Sequence, residues 1–180
     1  MQIDWQDKSN VTAEIDQELI RKLLFYDGSL TRYLQSICAE DFSIKVQSES
    51  WGLLFKDECL SLKLEDNQKA FIRLSHLNSG AKTMVYARTV FPEKTYKLIK
   101  NKLEALGERP LGELLFSEPS AYRSQMKYAK IRVDSKLFLP VKNQEPEDSL
   151  HWARQSLFMI DEMPLLITEL FLPAISQCIK

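Results

Sequence analysis

Apolar residues recur at helical spacing along the first part of the chain. From Ala13 to Phe25, Ile15, Leu19, Leu23 and Leu24 share one helical face, with Thr12 available as N-cap. Asp27-Gly28 interrupts the run. Ser29 can then cap a second helix in which Leu30, Tyr33, Leu34 and Ile37 fall on one side, so the pattern predicts an N-terminal helical hairpin. The period then changes to two. Phe42, Ile44 and Val46 alternate with polar residues, Leu60, Leu62 and Leu64 do the same, and AFIRLSHL (70–77) and MVYARTVFP (84–92) read as longer strands. Asn78-Ser79-Gly80 supplies turn chemistry between these two, which suits an antiparallel hairpin. Beyond Pro92, a helix burying Tyr96, Leu98, Ile99, Leu103 and Leu106 should stop at Gly107, and Pro110 suits the start of a short helix from Leu111 to Phe116. Alternation from Gln125 to Val133 is weaker. KNQEPEDS (142–149) reads as an exposed loop within the domain, and HWARQSLFMI and PLLITELFLP flank a turn at Asp161-Glu162.

Helices at the two flanks of several antiparallel strands predict an α+β fold, with a single antiparallel β-sheet, helices packed on one face and flanking helical flaps. A chain of 180 residues closes one core, so residues 1–180 are expected to form one domain. Lys and Arg number 24 against 25 Asp and Glu, and this near-neutral balance gives no electrostatic reason to expect nucleic acid or an anionic membrane as partner. Any anion site must be local. No apolar run approaches the ~20 residues of a membrane span, and MQIDWQDKSN is unlike a signal peptide, so the chain is expected to remain in the cytoplasm, as a monomer. Cys38, Cys59 and Cys178 are odd in number and widely spaced, which argues against a disulfide framework or a zinc site. With two histidines and no Gly-rich phosphate loop, the sequence calls for no cofactor and no metal.

Three charges interrupt the apolar strands. Alternation puts Arg73 on a face with Phe71, Ser75 and Leu77, Arg88 with Met84, Tyr86 and Val90, and Glu169 with Ile167 and Phe171. A charge moved from water into such a setting costs several kcal/mol unless a partner compensates it. Two readings follow. Arg73 and Arg88 pair with Glu169 or another acid as a structural network, or the strands form a cleft in which guanidinium forks receive carboxylates and Glu169 handles a hydroxyl or a proton. His76 alternates onto the face opposite Arg73 and reads as a core or surface residue, and Trp51 and Trp152 read as packing groups.

The segments that carry these charges resemble the chorismate pyruvate-lyase (4-hydroxybenzoate synthase) family. PLLITELFLPA (164–174) looks nearly identical to the family's closing strand, and ARTVFP (87–92) is similar to its Arg-Thr-Val-x-Pro strand end. LGERPLGELLF (106–116) resembles its Leu-Gly-x-x-Pro-Leu-Gly helix start, and HWARQS (151–156) its Trp-x-Arg-x-Ser segment. With weaker similarity at LLFYDGSLTRYL, these stretches cover about half of the chain in the family's order; 39–69 and 117–150 match little.

The resemblance implies the chorismate lyase-like fold and a cofactor-free lyase acting on chorismate. Arg73 is similar to the arginine that holds the substrate carboxylate and Glu169 to the acid of the same pocket. Leu111 matches a residue that contacts ligand through its backbone, and Leu30 stands where the family often has Met. Arg88 and Arg154 match further motif arginines to which supporting substrate roles are assigned; taken alone, Arg154 reads as an exposed or structural ion pair. The rival function is a non-catalytic effector-binding domain of the same fold, which in one repressor family follows an N-terminal DNA-binding unit; the ~40 residues before the sheet look too few and too weakly basic for one.

Overall fold

The computed structural model describes residues 3–38, 42–138, 140–141 and 149–177. Its centre is one six-stranded sheet, antiparallel throughout, built from β1 (Phe42–Leu53), β2 (Lys69–Ser79), β3 (Lys82–Phe91), β4 (Ala121–Arg132), β5 (Leu150–Ile160) and β6 (Met163–Phe171) in the order β1-β2-β3-β6-β5-β4. The two hairpins read from sequence are its middle. Gly80 takes positive φ in the β2–β3 turn, and Asp161 and Glu162 both do so in the β5–β6 turn, as a tight two-residue connection requires. Gln6 exchanges backbone hydrogen bonds of 2.8 and 2.9 Å with Tyr128, so the N-terminal segment covers part of the β4 edge.

Among the described residues six α-helices frame the sheet: α1 (Lys8–Val11), α2 (Glu18–Leu24), α3 (Leu30–Cys38), α4 (Lys56–Leu62), α5 (Glu93–Leu106) and α6 (Leu111–Ser117). Four of them pack in two pairs on one face. Leu23, Leu24, Leu30 and Leu34 of α2 and α3 meet Leu77, Val85 and Phe171 near one end of the sheet. Ile99, Leu103, Leu114 and Leu115 of α5 and α6 meet Phe91, Phe158 and Leu165 near the other. Each fully buried leucine contributes ~1.5–3 kcal/mol relative to exposure. The middle of that face lies between the two pairs.

The second face is not bare. Cys59 and Leu62 of α4 pack on Ile72, Val90 and Leu166 there, in the stretch where Leu60, Leu62 and Leu64 predict a strand. The first turn of α4 carries Asp57 and Glu58, Glu58 accepts from the Phe55 amide at 2.8 Å, and Lys63 in the left-handed region ends the helix. Leu60 is left 58% exposed, so its alternation with Leu62 does not reflect a buried face.

Three further expectations change. The predicted helix over 13–25 is broken: a 3-10 turn at Thr12–Glu14 and an extended Ile15 precede α2, and Thr12 closes α1 instead of capping α2. Arg21 Nη2 donates to the carbonyls of Thr12 (2.9 Å) and Ile15 (3.1 Å), supplying hydrogen bonds that the interrupted helix lacks. In α5 the buried set is Thr95, Ile99, Leu103 and Leu106, and Leu98 is 46% exposed. β4 is longer than its weak alternation suggests because a bulge resets its register between Arg123 and Gln125. The loop expected over 142–149 lies almost wholly outside the described residues.

Candidate active site

The uncovered middle of the first face has a floor of small side chains. Ser75 on β2, Ala87 and Thr89 on β3 and Ser156 on β5 leave space there, together with Ile167 on β6. The resulting cavity, about 670 Å³ including its mouth, is walled by Leu30, Leu111, Leu115, Phe116 and Phe158. Four arginines (Arg73, Arg109, Arg123, Arg154) and one acid, Glu169, also line it. An apolar cavity with a few converging polar groups is the usual form of a small-ligand site, and the excess of arginine suits an anion.

Arg73 stands on β2 between Glu49 of β1 and Thr89 of β3 and is 2% exposed. Its Nη1 donates to the Glu49 carboxylate, and Nη2 donates to the carbonyls of Gly107 (2.6 Å) and Arg109 (3.2 Å). The Gly107 carbonyl is aimed by a backbone at φ 56, ψ −128, a conformation that glycine alone adopts readily. The glycine that ends α5 therefore also orients the arginine. Of the acids left open for Arg73, Glu169 or another, the structure supplies Glu49, whose residue type in a polar run gave no signal.

Glu169 is directly opposite Arg154 of β5 on one side and Ala87 of β3 on the other. Arg154 Nε donates to Glu169 Oε2 at 2.5 Å. Arg154 Nη1 donates to the carbonyls of Leu23 (3.0 Å) and Tyr26 (2.9 Å), at and beyond the C-terminal end of α2, where the Leu23 carbonyl has a 3.3 Å bond from the Tyr26 amide besides. Arg154 is 1% exposed, so of the exposed or structural ion pair expected for it the structure shows the second: a buried pair at the cavity wall. On the β3 side only the Ala87 methyl flanks the acid, which leaves room beside the carboxylate.

The starts of α3 and α6 meet over this floor. Ser29 Oγ accepts from the Arg32 amide at 3.4 Å, as an N-cap does, and a Cβ on Gly112 would lie 2.9 Å from that oxygen. Glycine at 112 thus permits the approach that brings Leu30 and Leu111 into the same cavity lining.

Arg88 does not join them. Its register partners, Leu74 on β2 and Thr168 on β6, belong to the second face, and its guanidinium donates to Glu58 of α4 at 2.6 and 3.0 Å while lying 4.2 Å from the Phe55 ring centroid. The supporting substrate role assigned to Arg88 is therefore corrected to a buried ion pair that fastens α4 to the sheet. Strand parity separates it from Arg73 and Glu169. Tyr86 on the same face is pushed up to about 12 by burial, opposed by the Arg88 charge and reinforced by Glu58. His76 also lies on that face, in edge contact with Tyr86. Trp51 packs edge-on against Phe71 and Tyr96, as a packing group.

Sequence reading missed Arg123, Glu49 and Glu58. A pairing signal is present for Glu58, an acid in the first turn of a helix, but the alternation of Leu60, Leu62 and Leu64 beside it predicts a strand. Arg123 was hidden by the bulge, which turns it to the cavity side on a strand whose simple alternation would turn it away. Among the described residues no group of three or more His, Cys, Asp or Glu side chains is placed to hold a metal ion, and no helix is long and apolar enough to cross a membrane.

Known proteins resemble this chain in fold and in sequence. The ligand-binding domain of a GntR-family transcriptional regulator from Bordetella bronchiseptica superposes with a TM-score of 0.54 at 14% identity, covering 73% of this chain and 83% of that one, which shows a shared fold. A "Probable chorismate pyruvate-lyase" from Methylococcus capsulatus is 37% identical over 152 residues, 84% of this chain and 93% of the relative. Another of that name from Pseudomonas putida is 32% identical over 178 residues, 99% of this chain and 92% of the relative. The profile of the chorismate lyase family matches residues 2–179, and the chain belongs to that family.

Proposed function

We propose that this protein eliminates pyruvate from chorismate to give 4-hydroxybenzoate, the aromatic precursor for ubiquinone biosynthesis. The observation that carries the reading is the buried cavity in which Arg73 and Glu169 stand two strands apart on one sheet face, with only Ala87 and Thr89 of β3 between them. Chorismate brings two carboxylates, a ring hydroxyl and an enolpyruvyl ether. In the reaction the C3–oxygen bond breaks with its electron pair on the enolpyruvyl oxygen, the C4 proton is lost and the ring becomes aromatic. The released enol then takes a proton on carbon to become pyruvate. Aromatisation supplies the driving force, so the protein's task is to orient the dianion and stabilise charge on the leaving group in a water-poor site.

In this proposal Arg73 holds the ring carboxylate, assisted by backbone groups at Leu111 in the first turn of α6 and at Leu30 in the first turn of α3. Glu169 sits where the ring hydroxyl or the C4 proton would lie, either hydrogen-bonding the former or relaying the latter. Arg154 acts through Glu169, fixing its carboxylate. The same reading makes the protein a cytoplasmic monomer that needs neither cofactor nor metal.

The test is turnover. Purified protein treated with a metal chelator is expected to convert chorismate to equal amounts of 4-hydroxybenzoate and pyruvate. The likeness to GntR-family ligand-binding domains favours one other reading, a domain that binds an aromatic carboxylate without transforming it. Tight binding of 4-hydroxybenzoate with no turnover of chorismate would establish that reading instead.

A further inference from the structure

Three of the cavity arginines are buried or half-buried in its walls, and their donors are committed unequally. Arg73 and Arg154 each hold a carboxylate and two carbonyls, as described above. Arg123 of β4 donates from Nη1 to the Asp27 carbonyl, while its Nε is buried and meets no partner among the described residues. The guanidinium lies 4.8 Å from the Phe158 ring centroid, which seats it at the cavity wall. Ser156, two residues before Phe158 on the same face of β5, likewise buries a hydroxyl with no partner. Buried polar groups are rarely left open, because each forfeits its hydrogen bonds to water. Here two such groups are diagonal neighbours lining one cavity.

The backbone turns Arg123 inward. Tyr128 and Met126 face the cavity side, and simple alternation would next bring Ser124 to it. The bulge between Arg123 and Gln125 instead sets Arg123 opposite Phe158, leaving Ser124 exposed. Burial and the nearby Arg154 charge lower the pKa of Arg123, against the attraction of Glu169 and Asp27. Arg154 is bonded to the Glu169 carboxylate at this end of the cavity, whereas Arg123 is bonded to no carboxylate among the described residues, so an added anion would compensate its charge.

We propose that Arg123 and the Ser156 hydroxyl form a second carboxylate subsite, at the opposite end of the cavity from Arg73, that receives the enolpyruvyl carboxylate. The inference rests on the chorismate reading and deepens it. Arg73 holds the carboxylate that substrate and product share. Arg123 holds the one that leaves with pyruvate, and so it favours the dianionic substrate and its departing enolate over the monoanionic product.

The experiment compares Arg123→Met with wild type on three ligands: chorismate for turnover, 4-hydroxybenzoate for binding, and 3-(1-carboxyvinyloxy)benzoate, an aromatic dicarboxylate that cannot aromatise further, set against benzoate. The expected result is a fall in kcat/KM on chorismate of roughly 10²–10³ with unchanged affinity for 4-hydroxybenzoate. The affinity that the dicarboxylate gains over benzoate in wild type should vanish in the variant. If Arg123→Met fails to fold, Ser156→Ala and Arg123→Lys carry the same comparison, each losing part of that gain. Equal losses for 4-hydroxybenzoate and the dicarboxylate would make Arg123 a general wall residue, and no gain from the second carboxylate in wild type would remove the subsite; both outcomes overturn the inference while leaving chorismate turnover intact. A wild type that shows the dicarboxylate gain but does not turn over chorismate sinks the proposed reaction instead and, with it, the assignment of the enolpyruvyl group.

Discussion

Arg154 and Glu169 face each other across β5 and β6, and the guanidinium that holds the acid also holds the carbonyls of Leu23 and Tyr26 at the end of α2. One side chain therefore ties the acid of the cavity to the helix pair that walls it. A disturbance at Glu169 has a chemical and a structural consequence, and the two can be measured apart.

Glu169→Gln keeps an oxygen that can accept from Arg154 but removes the negative charge and the capacity to take a proton. If Glu169 relays a proton, turnover of chorismate should fall roughly 10²-fold or more while affinity for 4-hydroxybenzoate changes little. If it only hydrogen-bonds the hydroxyl, product affinity should carry the larger loss. Melting temperature should drop in either case, because the Arg154 charge loses its compensation. A folded Glu169→Gln protein with wild-type turnover would exclude Glu169 from the chemistry.

Arg73→Ala is expected to weaken 4-hydroxybenzoate binding by about 2–5 kcal/mol, the usual cost of removing one side of a buried charge-assisted contact. Glu49 loses its partner too, but its side chain is 36% exposed and can be rehydrated, so the fold should survive. Calorimetric titration beside a thermal melt separates the outcomes. Normal affinity in a destabilised protein would mean that Arg73 serves only to join Glu49 to the Gly107–Arg109 turn.

What was legible in the sequence is what local pattern encodes. The β2–β3 and β5–β6 hairpins combine period-two alternation with a turn that tolerates positive φ, and both formed where read. Arg73 and Glu169 stood out because each breaks an apolar alternation, but that they share a face follows only from the β3–β6 register, in which Ala87 meets Glu169. The β2–β3 hairpin alone separates Arg88 from Arg73: Arg73 meets Thr89, so the preceding residue, Arg88, must face away. Arg123 was illegible because a bulge inverts its parity, and α4 because the alternation of Leu60, Leu62 and Leu64 runs across the end of this seven-residue helix and fits a strand as well.

The Arg88–Glu58 pair should behave as structure and nothing else. Glu58→Ala leaves a buried guanidinium without its carboxylate and should cost about 3–5 kcal/mol of stability, whereas replacing both partners by apolar residues, Arg88→Met with Glu58→Leu, should recover much of that loss. Urea denaturation of the single and double variants measures this. The double variant should bind 4-hydroxybenzoate as wild type does, since the pair lies on the face of the sheet away from the cavity. A selective loss of ligand affinity in a stable double variant would restore Arg88 to the site.

Acid should destabilise the protein through its two histidines. Burial lowers the pKa of His76, with a further push from the Lys45 charge opposite it, and burial lowers that of His151 against a backbone hydrogen bond involving Phe171. In the unfolded chain both return to about 6.5. Above that value both states hold neutral rings and nothing is lost. As pH falls through 6.5 the unfolded chain takes up protons that the folded one refuses, so stability declines until the folded-state values are passed, by at most about 1.4 kcal/mol per pH unit for each ring. The window from pH 7.5 to 5.2 isolates this effect from most carboxylate titration. Urea midpoints of wild type should fall across it, and His151→Gln and His76→Gln should each flatten the decline, His151 through a buried ring that packs at 4.9 Å on Phe138. A wild-type midpoint constant across the window, or a variant whose decline matches wild type, would show that the ring concerned is protonated as readily in the fold as outside it.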